Sequence, residues 1–182
     1  MSGPKAWPVL LLAAALTAAC GGLGSGKIAG ARLEAEWSGA ASARIAGGAT
    51  AEWCDSLRVL QLQTLRGDTG IALAIYPVNL FQVGRFPVMP PARADSARPA
   101  AAVALRWLAE TSIRGFQGDS GQVVVEHGWP GLYAGTFEAQ AHSVTDTAHL
   151  TIRGSFRGVP LRPALRGCAA RRQLSDSSRG VH

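Results

Sequence analysis

Two motifs in this chain carry residue types that could do hydrolytic or phosphate chemistry. Gly118–Gly121 reads Gly-Asp-Ser-Gly, the tetrapeptide around the nucleophilic serine of trypsin-like proteases. That chemistry needs a histidine base held by a buried aspartate, and those proteases place both upstream of the serine, whereas every histidine here, beginning with His127, lies downstream. Residues 21–27 nearly spell a phosphate-binding loop, but Ile28 stands where Ser or Thr is needed. We interpret the first motif as a polar turn and the second as a flexible tether.

Two further patterns suggest adhesion or metal binding. Arg66-Gly67-Asp68 matches an integrin-binding tripeptide, yet between two strand-like runs it is a turn with Gly where a positive φ is wanted. His142 and His149 share the polar face of one hairpin and could hold a metal, but a third ligand is missing nearby. The carboxylates fall mostly on polar strand faces, and no pair stands out as general acid and base. We therefore expect no enzymatic activity, no metal and no cofactor.

The first 20 residues have the layout of an export signal. Lys5 supplies a positive charge, residues 8–16 are apolar, and residues 17–19 are small. The apolar run is too short to cross a bilayer core of about 30 Å as a helix. Leu16–Cys20 looks like a lipobox, which implies that Cys20 is diacylated and becomes the first residue of the mature protein. The alternative is ordinary cleavage after Ala19, which would leave a free thiol.

Two cysteines remain once Cys20 is assigned to lipidation. Cys54 and Cys168 would meet an oxidising compartment after export, which favours a disulfide between them over two buried thiols. A disulfide that closes so long a loop stabilises a fold by roughly 4–5 kcal/mol in the chain-entropy model.

The charge balance gives no indication of nucleic-acid binding. The formal net charge is +6, but the body of the protein, residues 31–168, holds 13 arginines against 11 acidic residues. No basic run is interleaved with aromatic residues, as nucleic-acid surfaces usually are.

The body reads as many short strands with turns about every ten residues, a spacing typical of an antiparallel sandwich or barrel. Leu33, Ala35 and Trp37 alternate with polar residues. Residues 100–108 could be helix or strand, and the alternation of Val103, Leu105 and Trp107 favours strand. The other predicted strands are 43–45, 49–54, 57–65, 69–76, 84–88, 122–127, 133–142 and 147–157, with a loop at 89–99 and an irregular connection at 113–121.

The last hairpin is specified in the greatest detail. Each of its strands has one apolar face, and the two faces must match. A two-residue loop at Thr145-Asp146 gives a register whose predicted pairs are Phe137 with Gly154, Gly135 with Phe156, Glu138 with Arg153, and His142 with His149. Each aromatic ring then covers a glycine. A shift of two residues keeps the faces but leaves the glycines uncovered, so we prefer the first register.

The chain also resembles a group of small bacterial lipoproteins of unknown function. The resemblance spans roughly residues 31–161. The matching residues are Trp37, Gly84-Arg-Phe-Pro-Val88, Gly121-Gln-Val-Val-Val125, Gly135-Thr-Phe-Glu-Ala139 and Gly154-Ser-Phe156. Cys54, Cys168, the proline-rich loop and the long tail depart from the group's pattern. The group brings no catalytic residues, so none are carried over.

Together these observations predict a signal peptide at 1–19, a Gly/Ser-rich tether at 20–30, one all-β domain at 31–168 and a disordered tail at 169–182. Since Gly21 is not Asp, resemblance to Gram-negative lipoproteins implies the outer membrane, with the domain in the periplasm or at the cell surface. We expect a non-catalytic binding or interaction module, anchored through Cys20. The alternative is a carrier of a small hydrophobic ligand, for which a deep apolar cavity between the sheets would be evidence. A filled core with an exposed apolar patch would favour the interaction module.

Overall fold

The computed structural model describes residues 30–94, 98–109, 111–128 and 130–163, and these residues form an all-β fold. None of their segments is a helix long and apolar enough to cross a membrane. The ten strands are β1 (Arg32–Gly39), β2 (Ala43–Gly48), β3 (Thr50–Cys54), β4 (Val59–Arg66), β5 (Thr69–Tyr76), β6 (Gly84–Pro87), β7 (Ala100–Ala109), β8 (Ser112–His127), β9 (Leu132–Ser143) and β10 (His149–Pro163). Residues 100–109 are therefore a strand, as the alternation predicts.

All ten strands belong to one sheet, which is folded over as a sandwich or flattened barrel. The long strands β8 and β10 make this possible because each serves both halves. β10 pairs along one edge first with β1 and then, in parallel, with β3, while β9 lies along its other edge. β8 likewise pairs with β7 over its first part and with β6 over its last part. The first half thus runs β2-β1-β10-β9-β8-β6, and the second runs β3-β4-β5-β7-β8.

Side chains fill the space between the halves. The alternating apolar residues predicted for β1 all point inward, with Leu33, Ala35 and Trp37 at most 5% exposed. Trp37 stacks on Trp107 with ring centroids 5.7 Å apart, and Trp107 stacks on Phe116 at 5.0 Å. The interior of the described residues holds one continuous core of packed side chains. These side chains occupy the space in which a carrier protein would need a cavity for its hydrophobic ligand.

The predicted register of the last hairpin is confirmed. Glu138 pairs with Arg153, and His142 pairs with His149. The Arg153 guanidinium donates to Glu138 Oε1 at 2.9 Å. A Cβ placed on Gly154 would lie 2.3 Å from Cζ of Phe137, which shows how closely that ring covers the glycine.

The loop of this hairpin is longer than the predicted two residues. Ser143 N–H donates to the Ala148 carbonyl at 2.8 Å, so Val144 and Thr147 belong to the loop and do not pair. Ser143 Oγ accepts from the Asp146 N–H at 3.2 Å, and Asp146 Oδ1 accepts from the Ala148 N–H at 2.9 Å. These side-chain oxygens accept the hydrogen bonds of the turn's backbone N–H groups, so the loop does not need the tight backbone geometry of a two-residue turn.

The irregular connection predicted at 113–121 is wrong, because β8 runs without a break from Ser112 to His127. The glycines in this segment suggest an interruption of the strand, but they instead allow neighbouring strands to pack closely against it. A Cβ on Gly118 would lie 2.9 Å from Val88 Cγ1, so a larger residue would collide there. The strand does change register between Gly118 and Ser120, and Asp119 is the extra residue of this bulge.

Candidate functional site

The outer face of the first half carries a ladder of alternating charges. The register places Glu36 between Arg44 and Arg153, and Arg153 is followed by Glu138 on the next strand. Glu34 lies on the same face, where the hydrogen bond from Arg32 and the nearby hydroxyl of Ser155 lower the pKa of its carboxyl. A groove of about 600 Å³ crosses this face. Its charges largely satisfy one another at exposed positions, which makes a solvated face the simplest explanation.

The outer face of the second half has small residues at its centre and a few longer side chains around them. One cross-strand row consists of Leu65, Gly70, Arg106 and Gly115, since each pairs with the next. The adjacent row, one step further along the strands, consists of Gln63, Ala72, Ala104 and Gln117. We call the depression over these eight residues, closed at one side by Val144, the alanine–glycine groove. It has a volume of about 620 Å³, within the range of roughly 300–1,000 Å³ usual for ligand sites.

Only part of this small-residue face is exposed, because the segment after β6 covers the rest. Ala94 is buried against the outward side chains of Cys54, Val59, Tyr76, Ala100 and Ala102, with Met89 packed beside them. This cover stops at Ala102. The next residue on the same face of β7, Ala104, is exposed, as is its neighbour Ala72 on β5. The groove is therefore the bare half of a face that the protein otherwise buries.

The walls of the groove are aliphatic, and a single arginine crosses its floor. Leu65 is 60% exposed and Val144 is 50% exposed. Arg106 Nε would lie 3.7 Å from a Cβ on Gly70, so the arginine extends over that glycine towards Leu65. Among the ion pairs of the described residues, none involves Arg106. The groove thus combines a cation with a mainly apolar surface that also includes Gln63 and Gln117, a combination that complements an aliphatic group with one carboxylate.

The structure places one of the three cysteines that sequence analysis singled out. Cys54 ends β3, is 3% exposed and has its Sγ 3.6 Å from Ser56 Oγ. Cys20 and Cys168 lie outside the described residues, as do the predicted signal peptide and tail. Lipidation of Cys20 and the disulfide between Cys54 and Cys168 therefore stay predictions.

The structure places a histidine beside the motif at Gly118–Gly121, where it contacts Asp119 rather than the serine. His142 Nδ1 lies 2.7 Å from Asp119 Oδ1, because the bulge turns Asp119 towards β9. Ser120 instead faces Gln140 across the ladder. The described residues contain no group of three or more His, Cys, Asp or Glu side chains that could hold a metal.

The tripeptide Arg66-Gly67-Asp68 forms the turn between β4 and β5, as predicted. Gly67 adopts a φ of 57°, the left-handed conformation that such a turn requires of its glycine. Arg66 pairs with Thr69, which leaves a two-residue turn. The hairpin geometry accounts for this motif fully.

The alanine–glycine groove is not predicted by the sequence, because residues 69–76 are apolar on both faces, as in a strand buried on both sides. The sequence does contain an indication of the groove, because neighbouring positions on one face of β5 and β7 are glycine or alanine: Gly70, Ala72, Ala74, Ala102 and Ala104. Such small residues leave depth for another chain or ligand to enter. A comparison with known protein families, curated proteins and solved structures finds no match to this chain.

Proposed function

We propose that this chain is a bacterial envelope lipoprotein that is cleaved after Ala19, acylated on Cys20 and held at the outer membrane. Its all-β domain acts as a non-catalytic binding module, similar in its closing strand pair to small bacterial lipoproteins of unknown function. The filled interior gives no support to the alternative of an internal hydrophobic carrier, since packed aromatic side chains occupy the space such a ligand would need.

The observation that carries the proposal is the alanine–glycine groove. Its floor includes Ala72, Ala104 and two glycines, and its volume is about 620 Å³. Arg106 gives the groove a preference for a segment with an acidic side chain among aliphatic ones. We infer that the partner is a protein that presents such a segment, and that burial of the apolar walls supplies most of the affinity.

Site-specific photo-crosslinking tests the partner site. A benzophenone amino acid at Ala104, in cells that export the full chain, should give a discrete adduct with one partner. The same amino acid at Thr136, on the outer face of the first half, should not. Ala72→Arg should abolish the adduct by filling the floor, whereas the matched change Ala46→Arg on the charged face should leave it intact. An adduct that survives Ala72→Arg would refute the groove as the site.

The role of Arg106 is tested in the same cells. Arg106→Lys keeps the positive charge and should retain most of the adduct, while Arg106→Glu should remove it through repulsion of the partner's carboxylate. Equal adduct yields from the two variants would show that the arginine does not select the partner.

Anchoring is tested separately by intact-mass analysis. Protein extracted from membranes should begin at Cys20 and carry acyl chains. Recovery of a soluble product with a free thiol at Cys20 would exclude the anchor and leave the binding module without its proposed location.

A further inference from the structure

Exposed large hydrophobic side chains collect at the two ends of the fold. Four of them lie at the end formed by the β4–β5, β7–β8 and β9–β10 hairpins, which we call the hairpin end: Leu65, Leu108, Ile113 and Val144. Five lie at the opposite end, formed by residues 55–58, 77–83 and 130–132, which we call the loop end: Leu57, Val78, Phe81, Val83 and Leu132. The alanine–glycine groove accounts for two of the first group, Leu65 and Val144. The groove does not explain why the five hydrophobic side chains at the loop end are exposed.

Hydrogen bonds hold the apolar loop 77–83 in a defined position. Tyr133 Oη donates to the Leu80 carbonyl at 2.9 Å, which ties the loop to the start of β9. Val78 N–H donates to Gln82 Oε1 at 2.6 Å, and the Arg58 guanidinium donates to the Val78 carbonyl. The exposed side chains of this loop are therefore presented by a braced backbone, and their exposure is part of the fold.

The chain that leads to the proposed anchor leaves the fold in the half nearest the loop end. β1 begins at Arg32, which pairs with Arg157 on β10. From there β10 continues for six residues to Pro163, about 20 Å along the strand. Ten peptide links separate Cys20 from Gly30, and they can span at most about 36 Å when fully extended. The anchor can therefore reach the level of the loop end.

We propose that the loop end is a membrane-docking surface, which rests on the same bilayer that holds the lipid on Cys20. Phe81, Val83 and Leu132 enter the headgroup region, and the exposed Arg85 and Arg162 lie near lipid phosphates. The inference rests on the proposed anchoring. A diacylated Cys20 already attaches the chain firmly, so the loop-end contact fixes the orientation of the domain on the bilayer. In this orientation the alanine–glycine groove, which lies towards the hairpin end, faces away from the bilayer and stays open to a partner.

The experiment compares two valines of nearly equal exposure at opposite ends of the fold. Val83 is 54% exposed and Val144 is 50% exposed. Val83→Cys and Val144→Cys variants of the acylated protein are labelled with an environment-sensitive fluorophore and reconstituted in vesicles of phosphatidylethanolamine and phosphatidylglycerol (3:1). The parent protein is labelled in parallel to correct for native thiols. The label at residue 83 should shift to the blue and be quenched by a nitroxide lipid at headgroup depth, and the label at residue 144 should do neither.

A second measurement separates docking from anchoring. The mature chain with Cys20→Ser carries no lipid, so its sedimentation with the same vesicles reports the loop end alone. Phe81→Ser together with Val83→Ser should weaken that sedimentation at least tenfold, since each side chain loses much of its apolar burial. The matched pair Leu108→Ser and Ile113→Ser at the hairpin end should change it less than twofold. Thermal unfolding of all three chains checks that each is folded.

The outcomes distinguish the two proposals. Acylated protein whose labels at residues 83 and 144 respond alike would overturn docking and leave the anchor standing. Protein with Cys20 intact that is extracted from membranes without acyl chains, while the Cys20→Ser chain sediments in a Phe81- and Val83-dependent way, would overturn the anchor and support docking. Sedimentation of the unacylated chain that ignores the loop-end serines would overturn docking by itself.

Discussion

Replacing Gly154 with alanine tests how the last hairpin is held together. A Cβ at this position would lie 2.3 Å from Cζ of Phe137 and 2.3 Å from the Glu34 carbonyl oxygen on β1. Both distances are far below ordinary van der Waals contact, so the Phe137 ring and the β1–β10 ladder would both have to shift. Inserting a methylene into a packed core costs typically about 1–3 kcal/mol. Alanine recovers roughly 0.5–1 kcal/mol of that because it restricts the unfolded chain.

Because two collisions place the cost near the upper end of this range, we expect Gly154→Ala to lower the free energy of unfolding by about 2 kcal/mol after that gain is subtracted. For a domain of this size that corresponds to a fall in melting temperature of roughly 4–8 °C. The assay is urea unfolding followed by tryptophan fluorescence, in which the midpoint should fall while the slope stays constant. Combining Gly154→Ala with Phe137→Leu removes one of the two collisions, so the double variant should be more stable than the sum of the single effects predicts, by roughly 0.5–3 kcal/mol.

The control for this substitution is Gly48→Ala. The nearest atom to a Cβ on Gly48 is the Ala31 carbonyl oxygen at 3.9 Å, an ordinary contact. This variant should be as stable as the parent or more stable by up to about 1 kcal/mol. If Gly154→Ala proved as neutral as Gly48→Ala, the ring of Phe137 would not cover the glycine and the packing argument for the register would fail.

Three further predictions follow from the loops and the cysteines. The N–H of Ala148 lowers the pKa of Asp146 below its ordinary value of 3.8. The stability advantage of the parent over Asp146→Asn should therefore be full above pH 4 and shrink as pH falls through the acid range, and an advantage that grows as pH falls in thermal melts would contradict this. Burial raises the pKa of Tyr133 to about 12, so its phenol should contribute stability up to about pH 10 that disappears as pH approaches 12, and Tyr133→Phe should remove the late phase of tyrosinate absorbance near 295 nm. Peptide mapping without reductant should join Cys54 to Cys168, and thiol labelling of both cysteines in the oxidised protein would exclude the bond.

The strands themselves were predictable because alternation is a local property. Leu33, Ala35 and Trp37 must share one face of any extended segment, and the structure buries all three. The same logic gave the register of the last hairpin, where two rings and two glycines complement one another in only one alignment. Its four-residue loop was not predictable, because Ser143 and Asp146 replace the backbone bonds on which a turn rule depends.

The candidate site was less accessible from the sequence. The small residues of β5 and β7 indicate that one face lacks bulk, but they cannot indicate whether another segment covers it. That depends on where Met89 and Ala94 pack after the chain has turned past β6. Burial of a face is a tertiary event, and Ala102 and Ala104 differ in exposure although their local sequences are alike.

By itself, the sequence determined the all-β class, most strands, their apolar faces and one hairpin register, since each follows from a period of two and from neighbours on adjacent strands. Only the tertiary structure decided that β8 continues through its glycines, because Val88 and the Glu138 carbonyl crowd Gly118 and Gly121 from neighbouring strands. It also decided that β3 closes the fold by pairing in parallel with β10, and that half of an apolar face stays bare. These features join residues far apart in the chain, and their free energies depend on contacts that no local pattern records.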